Sequence, residues 1–286
     1  MTSKTKLAIR AVKEATRLRA RLGIGPTESV CPLDIAIGLG IIVRLEALPS
    51  LEGVYSPGSR DAMVISTNRP WGRIRHTCGH ELGHHVFRHG ANVDEFDQSE
   101  QRKWKPEEFV ADRFSTALLM PKLAVAAALN QRSWSSTNLS PEQAFVLAQG
   151  FGVGYTNFIS HLERTLGMID RQTADRLRGS RGSLRRLRDT VAGFETLHDV
   201  FVGDEHWGAR PIDIETGDVV VIPPGAMFSG RCAQLKGDPL PHLVGVAAGQ
   251  GQLKLRTQSR AIRIRVCRKG FTGLAKYRHL EEADGE

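Results

Sequence analysis

The sequence predicts an α+β protein whose C-terminal third is rich in β-strands. Apolar residues recur at helical spacing in several N-terminal segments, and short β-type runs bounded by Gly and Pro lie between them. After an arginine-rich stretch the composition shifts to β-type runs alone. We therefore expect four regions, which are an α+β domain over 1–132, a helical unit over 133–170, a linker over 171–190 and an all-β domain over 191–286.

The first elements alternate between helix and strand. Residues 5–22 have apolar side chains near helical spacing, and Pro26 ends that segment. The run PLDIAIGLG predicts a short second helix that Gly40 closes. Three short strands are predicted to follow, over residues 41–48, 52–56 and 62–66.

Two longer helices complete the first region. Asn68 is a plausible cap before Pro70, and the helix that begins there is predicted to stop at Gly90. A polar, acidic connection leads to a second helix over residues 107–120, which Pro121 ends. This arrangement predicts a small sheet with several helices beside it.

The helical unit has two short helices, predicted over 141–149 and 155–166, with the turn FGVG between them. Two helices joined by a glycine-containing turn fit a helix-turn-helix, and a helical hairpin that only packs against a neighbour has the same pattern. Beyond the linker, the runs DIETGDVVVIPPGAMF, HLVGVAAG, QLKLRTQ and AIRIRVCRK predict short strands separated by turns.

Composition limits the classes of function. The chain has 286 residues, 41% of them hydrophobic and 24% charged, as in ordinary globular proteins. No apolar run is long enough to span a membrane, and the N-terminus reads as an amphipathic helix rather than a signal peptide. The four cysteines have neither metal-ligand nor disulfide-framework spacing. We expect a cytoplasmic protein with no membrane partner.

The formal net charge is +8, and the excess of cations is concentrated in two segments. Residues 171–188 hold seven Arg against one Asp, and residues 254–280 hold nine Lys or Arg and no acid. A solvated linker and a solvated strand face would explain this distribution. Binding of nucleic acid through these basic segments is the alternative.

The segment GHELGHHVFRHG, residues 79–90, contains an HExxH motif on a predicted helix. Residues four apart share one face of a helix, so His80 and His84 can bind one metal ion. Glu81 is displaced by about 100° around the axis and can act as general base toward a water at the open coordination position. We interpret His76, His85 and His89 as structural.

Two histidines leave a catalytic zinc site incomplete, because such sites usually have three protein ligands and a water. The next predicted helix offers Glu107 and Glu108, and spacing alone does not decide between them. Asp112 lies four residues after Glu108 and could hydrogen-bond a liganding histidine, which would fix its tautomer. A solvated helix face is the alternative for all three acids.

The run HELGHHVFRH followed by EFVADRFSTALLMP resembles the ImmA/IrrE family of metallopeptidases. The family pattern is HELGH with a further His shortly after, then E-x-x-A-[ND]-x-F-[AS]-x-x-L-L-M-P, and the resemblance spans residues 5 to about 168. It selects Glu108 as the third ligand. Val110 and Gly79 depart from the usual acid and Ala of the family, and neither is a ligand.

The resemblance implies a zincin-like, zinc-dependent, site-specific endopeptidase that cleaves a helix-turn-helix transcriptional repressor and so derepresses genes, for example under stress. Zn²⁺ would be held by His80, His84 and Glu108, and Mn²⁺ could replace it. Tyr55 is our candidate for an additional oxyanion donor. If residues 62–66 form a sheet edge at the cleft, a substrate loop could add to it as a strand.

Two other functions remain open from the sequence. One is a DNA-binding transcriptional regulator with a structural zinc, which the helix-turn-helix-like unit and the basic segments motivate. A structural site usually has four protein ligands, whereas three are in view, and it has no use for Glu81. The other is a sensor in which the C-terminal β domain binds a ligand and gates the peptidase.

Overall fold

A computed structural model of the chain describes residues 3–95, 104–180, 199–208, 210–238 and 240–280. It contains helices and small sheets, which confirms the mixed α+β class. The chain separates into two compact units. Unit 1 comprises Met1–Val125, Phe151–Val153 and Phe271–Lys276, and unit 2 comprises Ala126–Gly150, Gly154–Gly270 and Tyr277–Glu286. The four-region division stays a prediction, and it differs from this two-unit division.

Unit 1 combines helices with a five-stranded sheet. Its helices are α1 (Ser3–Arg21), α2 (Pro32–Gly38), α3 (Trp71–Phe87) and α4 (Pro106–Leu119), and α5 (Lys122–Gln131) crosses into unit 2. Its strands are β1 (Ile42–Glu46), β2 (Leu51–Ser56), β3 (Ala62–Ser66), β4 (Asn92–Glu95) and β13 (Gly273–Leu274).

The sheet of unit 1 has the order β13-β1-β3-β2-β4. β1 and β3 are parallel, and the other neighbouring pairs are antiparallel. β3 is hydrogen-bonded on both sides, so it offers no free edge, and the idea that a substrate adds to residues 62–66 is wrong. β13 comes from the far end of the chain and pairs with β1 through Arg44 and Leu45.

Helix α3 packs on β2 and β3 of this sheet, and α4 contacts both α3 and α1. The buried face of α1 is apolar except for Arg19, which is 3% exposed. Its guanidinium donates to the Leu118 carbonyl at 2.8 Å and to the Gly25 carbonyl at 2.7 Å. These bonds pair both terminal nitrogens of a buried cation with backbone oxygens, and the bond to Leu118 fixes α1 against the end of α4.

The helical part of unit 2 contains α6 (Pro141–Phe151), α7 (Tyr155–Arg164) and α8 (Arg171–Gly179). α6 begins with a capping box, because Ser140 Oγ accepts from the Gln143 amide at 3.1 Å and Gln143 Oε1 accepts from the Ser140 amide at 2.9 Å. The apolar face of α7 is buried through Phe158, Ile159 and Leu162.

The predicted linker is partly helical. Over Arg171–Gly179 it forms α8, which packs on α7. Ala174 and Leu177 are fully buried, and the Tyr155 hydroxyl donates to the Leu177 carbonyl at 2.9 Å. The arginines dominate the composition here, but these two apolar residues at helical spacing supply the packing face. The part of the linker beyond residue 180 lies outside the described residues.

The remainder of unit 2 contains two four-stranded sheets, with orders β5-β7-β10-β9 and β6-β12-β11-β8. The core between them is apolar, with Ile212, Ile264 and Leu243 fully buried. The strands are β5 (Val200–Val202), β6 (Ile212–Glu215), β7 (Val219–Val221), β8 (Met227–Ser229), β9 (Ala233–Lys236), β10 (His242–Gly245), β11 (Gly249–Lys254) and β12 (Ile262–Cys267).

One buried ion pair lies in the second of these sheets. Arg265 on β12 faces Asp213 on β6, and the guanidinium binds the carboxylate through two hydrogen bonds, from Nη2 to Oδ2 at 2.9 Å and from Nε to Oδ1. His279 Nε2 lies 3.6 Å from Asp213 Oδ1. Burial lowers the pKa of His279 to about 4, against the opposing effect of Asp213.

All four cysteines are buried and free of disulfide bonds. Among the described residues, no helix combines the length and the apolarity that crossing a bilayer requires.

Candidate metal centre

The HExxH motif lies on α3, which begins after Pro70 and runs from Trp71 to Phe87. The helix ends at Phe87, earlier than the predicted stop at Gly90, and Arg88 is its C-cap. Arg88 adopts a left-handed conformation with φ of 54°, and the His89 amide then donates to the His84 carbonyl at 3.0 Å. This is a Schellman-type helix end, and it turns His89 back over the last turn of α3.

His80, His84 and Glu108 meet at the interface of α3 and α4. The Nε2 atoms of the two histidines are 3.0 Å apart. Glu108 Oε2 lies 3.3 Å from His80 Nε2, and Glu108 Oε1 lies 3.7 Å from His84 Nε2. These three residues can hold a metal ion. Both histidines are buried, so their position is fixed by packing.

The spacing of these atoms fits zinc. A tetrahedral ion with bonds of about 2.0–2.2 Å places its ligand atoms about 3.3–3.6 Å apart. The three separations of 3.0, 3.3 and 3.7 Å bracket that range. Two imidazole nitrogens and a carboxylate oxygen are also a donor set that zinc accepts, and the three residues leave a fourth position for water.

Two glycines let α3 and α4 approach closely enough for this convergence. A Cβ at Gly83 would lie 2.8 Å from the Ala111 Cα, and one at Gly79 would lie 2.5 Å from Ser115 Oγ. The first of these contacts is with backbone, which cannot move aside. Gly79, which departs from the family's usual Ala, therefore lies at the same close helix contact as the glycine of HELGH.

Glu81 faces the sheet instead of α4, as its offset around the helix requires. It is fully buried, and its neighbour on β2 is Gly53. A Cβ at Gly53 would lie 2.7 Å from Glu81 Oε1 and 2.7 Å from the Thr77 methyl carbon. The strand has a register irregularity between Leu51 and Gly53. Gly53 thus provides the space for the proposed base, a role that we did not predict.

His89, which we interpreted as structural, contacts a proposed ligand directly. Its Nδ1 lies 2.9 Å from His84 Nδ1. If His84 binds a metal through Nε2, its proton is on Nδ1 and is donated to His89, which fixes the tautomer and the ring orientation. Burial lowers the pKa of His84 well below its ordinary value, and the nearby His80 lowers it further. Both effects favour the neutral imidazole that a metal requires.

Asp112 lies elsewhere than we expected. Its carboxylate Oδ1 is 3.5 Å from Nε2 of His76, one turn before His80, and this is the ion pair that the structure gives it. Asp112 is about half exposed. The spacing of four residues does place Glu108 and Asp112 on one face of α4. However, the two side chains contact different turns of α3, Glu108 at His80 and Asp112 at His76.

Tyr55, the predicted oxyanion donor, is buried on β2. Its hydroxyl lies 3.3 Å from His85 Nδ1, which is 2.9 Å from Asp61 Oδ2. Burial and the Asp61 carboxylate raise the pKa of Tyr55 to about 12, so the hydroxyl keeps its proton. Its role toward a substrate stays a prediction.

A cavity of about 600 Å³ adjoins this group. Its lining includes Tyr55, His85 and His89 together with Arg21 of α1 and Arg88. Because His89 also contacts His84, the cavity reaches the residues around the candidate metal centre.

Comparison with known proteins places this site in a family. Residues 39–159 match the Peptidase_M78 family, described as the IrrE N-terminal-like domain. No curated protein matches the chain. The matched segment contains β1, β2, β3, α3 and α4, and therefore every residue of the candidate metal centre. The match therefore supports an ImmA/IrrE-type peptidase domain over residues 39–159 of the chain.

Proposed function

We propose that the chain is a zinc-dependent, site-specific endopeptidase with a zincin-like catalytic domain. The observation that carries this proposal is the convergence of His80, His84 and Glu108, beside an acid on the same helix that is not part of the triad. The peptidase-family match supports hydrolysis of a peptide bond. The donor set would also accept Mn²⁺.

Each residue of the candidate metal centre has a separate role in the proposed mechanism. When bound, zinc lowers the pKa of a coordinated water and polarises the scissile carbonyl. His80, His84 and Glu108 would hold the ion, and His89 orients His84. Glu81 removes the proton from the attacking water and later delivers it to the leaving amine. Tyr55 would donate to the developing oxyanion once its hydroxyl turns from His85.

The proposed substrate is a helix-turn-helix transcriptional repressor, whose cleavage derepresses genes. The support for this substrate class is the family resemblance alone. The C-terminal part of unit 2 would then serve regulation, and a ligand sensor that gates the peptidase is compatible with the proposal.

The test pairs the purified chain with a helix-turn-helix repressor encoded beside it. We expect wild type to contain about one zinc per chain and to cut the repressor at one site. Glu81→Gln should keep its metal, because the three ligands are unchanged. Its cleavage rate should fall by about 10²–10⁴-fold, because the general base is gone. Glu108→Ala loses both metal and cleavage. Gel analysis and metal quantification are read on the same samples.

Glu107 provides the matched control. It precedes Glu108 on α4 and is exposed, so Glu107→Ala removes the same charge without touching the triad. This variant should bind metal and cut as wild type does. Cleavage by Glu81→Gln at the wild-type rate would show that the mechanism is wrong, and loss of metal in Glu107→Ala would show that the triad is misassigned.

The alternative is a DNA-binding regulator with a structural zinc. It requires a fourth protein ligand, whereas the cluster among the described residues has three. The helix that would read DNA, α7, has its apolar face and His161 buried, and few of its side chains are exposed. A salt-dependent shift of DNA without cleavage of any repressor would favour this alternative.

A further inference from the structure

The hairpin of β11 and β12 has one apolar and one polar face. Leu253, Ile262 and Ile264 point into the core of unit 2 and are at most 4% exposed. Because side chains alternate along a strand, Lys254 and Arg263 point the other way, and both are exposed. The outward side of this hairpin is therefore a solvent-facing surface whose shape is fixed by a packed core.

Four cations lie together on this hairpin. Lys254 and Arg263 are on the strands, and Arg256 and Arg260 are in the turn that joins them. We refer to these four as the basic hairpin patch. All four are exposed, and within the described part of the chain none of them forms an ion pair. Their charges are therefore available to a partner.

The strand register shows how the patch is spaced. Arg263 faces Gln252 across the hairpin, and Lys254 is two residues further along the same face, about 7–8 Å away on the diagonal. On the other side of Gln252 stands Ser229 of β8. Exposed amide and hydroxyl groups thus accompany the cations, as in surfaces that contact phosphate and sugar.

Acids are scarce around the patch. Residues 222–270 hold nine Lys or Arg and only one acid, Asp238. The turn also contacts Glu205, whose carbonyl accepts from Gln258 Nε2 at 2.7 Å. The segment that carries the patch therefore has a large net positive charge.

We propose that the basic hairpin patch binds the phosphate backbone of double-stranded nucleic acid, without reading its sequence. A membrane would need several exposed apolar anchors, and Met227 is the large apolar side chain exposed beside Lys254. A single strand would need exposed aromatic rings for its bases, whereas Phe228 packs against the core. This activity is independent of the proposed peptidase and would hold the enzyme near nucleic acid.

The test measures binding of the full chain to a fluorescently labelled 20-base-pair DNA duplex by anisotropy, between 50 and 200 mM salt. We expect wild type to bind with an affinity that falls steeply with salt. Lys254→Gln/Arg263→Gln should flatten the slope of log K against log salt by about 1.8 and weaken binding at 50 mM salt by about tenfold or more. Lys254→Arg/Arg263→Lys should bind as wild type does.

Arg164→Gln/Arg171→Gln is the matched control. It removes the same charge from α7 and α8 of the same unit, where both arginines are exposed. The proposal predicts that this control keeps the wild-type slope. Loss of the slope in the control but not in the patch variant would overturn it and would favour the helical unit. Thermal midpoints of both variants equal to that of wild type establish that folding is unchanged.

Two competitors complete the experiment. Polyglutamate at equal charge concentration should displace the duplex poorly, and a single strand of equal length should bind more weakly than the duplex. If polyglutamate competes as well as unlabelled duplex, the patch is a docking site for acidic proteins and the proposal fails. If the single strand binds more tightly, the assignment to a duplex fails.

Discussion

The polar groups around His84 and those around Asp213 are both buried, yet they differ in how their charges are arranged. In unit 1, two imidazole nitrogens and a carboxylate oxygen lie close enough together to hold one metal ion. In unit 2, Arg265 covers the Asp213 carboxylate with two hydrogen bonds. The first cluster gains most from an added cation, while the second already contains one. Buried polar residues therefore indicate a metal-binding site when several of their electron-donating atoms converge and no cationic side chain is paired with them.

The largest effect that we expect is a loss of stability when the buried ion pair of unit 2 is disrupted. Arg265→Met leaves the Asp213 carboxylate buried without its guanidinium, which should lower the free energy of unfolding by about 3–5 kcal/mol. Urea denaturation measures this loss, and the zinc affinity should be unchanged. Adding Asp213→Leu should restore most of the stability, because the unpaired charge is then gone. Failure of the double variant to recover would mean that the pair contributes more than charge neutralisation.

The second effect depends on pH. The pKa of His279 falls from 6.5 to about 4 on folding, so between these values only the unfolded chain takes up the proton. The free energy of unfolding should therefore fall as the pH falls through this window, by up to about 3 kcal/mol. Burial raises the pKa of Asp218 to about 7. This carboxyl therefore increases the free energy of unfolding as the pH falls, which opposes the effect of His279.

Comparing the pH dependence of stability in wild type and His279→Gln separates the effect of His279 from that of Asp218, which is present in both. Urea denaturation at pH 4, 5, 6 and 7 should give a difference between wild type and variant that changes across the window. A constant difference at all four values would show that His279 is not responsible.

A smaller effect is expected where α3 meets α4. Gly83→Ala places a Cβ 2.8 Å from the Ala111 Cα, so the helices must separate. Overpacking of this kind costs about 1–3 kcal/mol of stability, and the zinc affinity should fall with it. Gly150→Ala on α6 is the control, because nothing lies within 4 Å of its added Cβ and the helix should gain about 0.5–1 kcal/mol.

The smallest effect concerns the residue that orients His84. His89→Ala should weaken zinc binding by about 10–100-fold, as loss of a hydrogen-bonding partner of a ligand usually does. Competition with a chelator of known affinity measures this change. His76→Ala is the control, since His76 lies on the same helix and its imidazole pairs with Asp112. Equal affinities of the two variants would show that His89 has no orienting role.

Local periodicity was sufficient for much of the candidate site. His80 and His84 are one helical turn apart, so a helix alone brings them together, and the family motif selected Glu108 over Glu107. The helix over 107–120 was predicted within one residue of the structure's Pro106–Leu119. These features depend on nearest neighbours along the chain and on a single helix contact.

The remaining features depend on backbone turns and distant contacts. His89 reaches His84 because Arg88 adopts a positive φ, which a non-glycine residue rarely does, so no sequence signal indicated it. Asp112 faces a different turn of α3 than we expected, because the offset between two helices is set by packing. Gly53 could be assigned only once β2 was seen to lie beside Glu81.

The pairing of β13 with β1 has a consequence for biosynthesis. β1 ends at Glu46 and β13 begins at Gly273, so the long segment between them is translated before this pair can form. Domains usually fold as they leave the ribosome, from the N-terminus onward. Here the sheet beside the candidate metal centre can be completed only after β13 has been translated. Until then the sheet lacks an edge strand, although the residues of the candidate metal centre have already been synthesised.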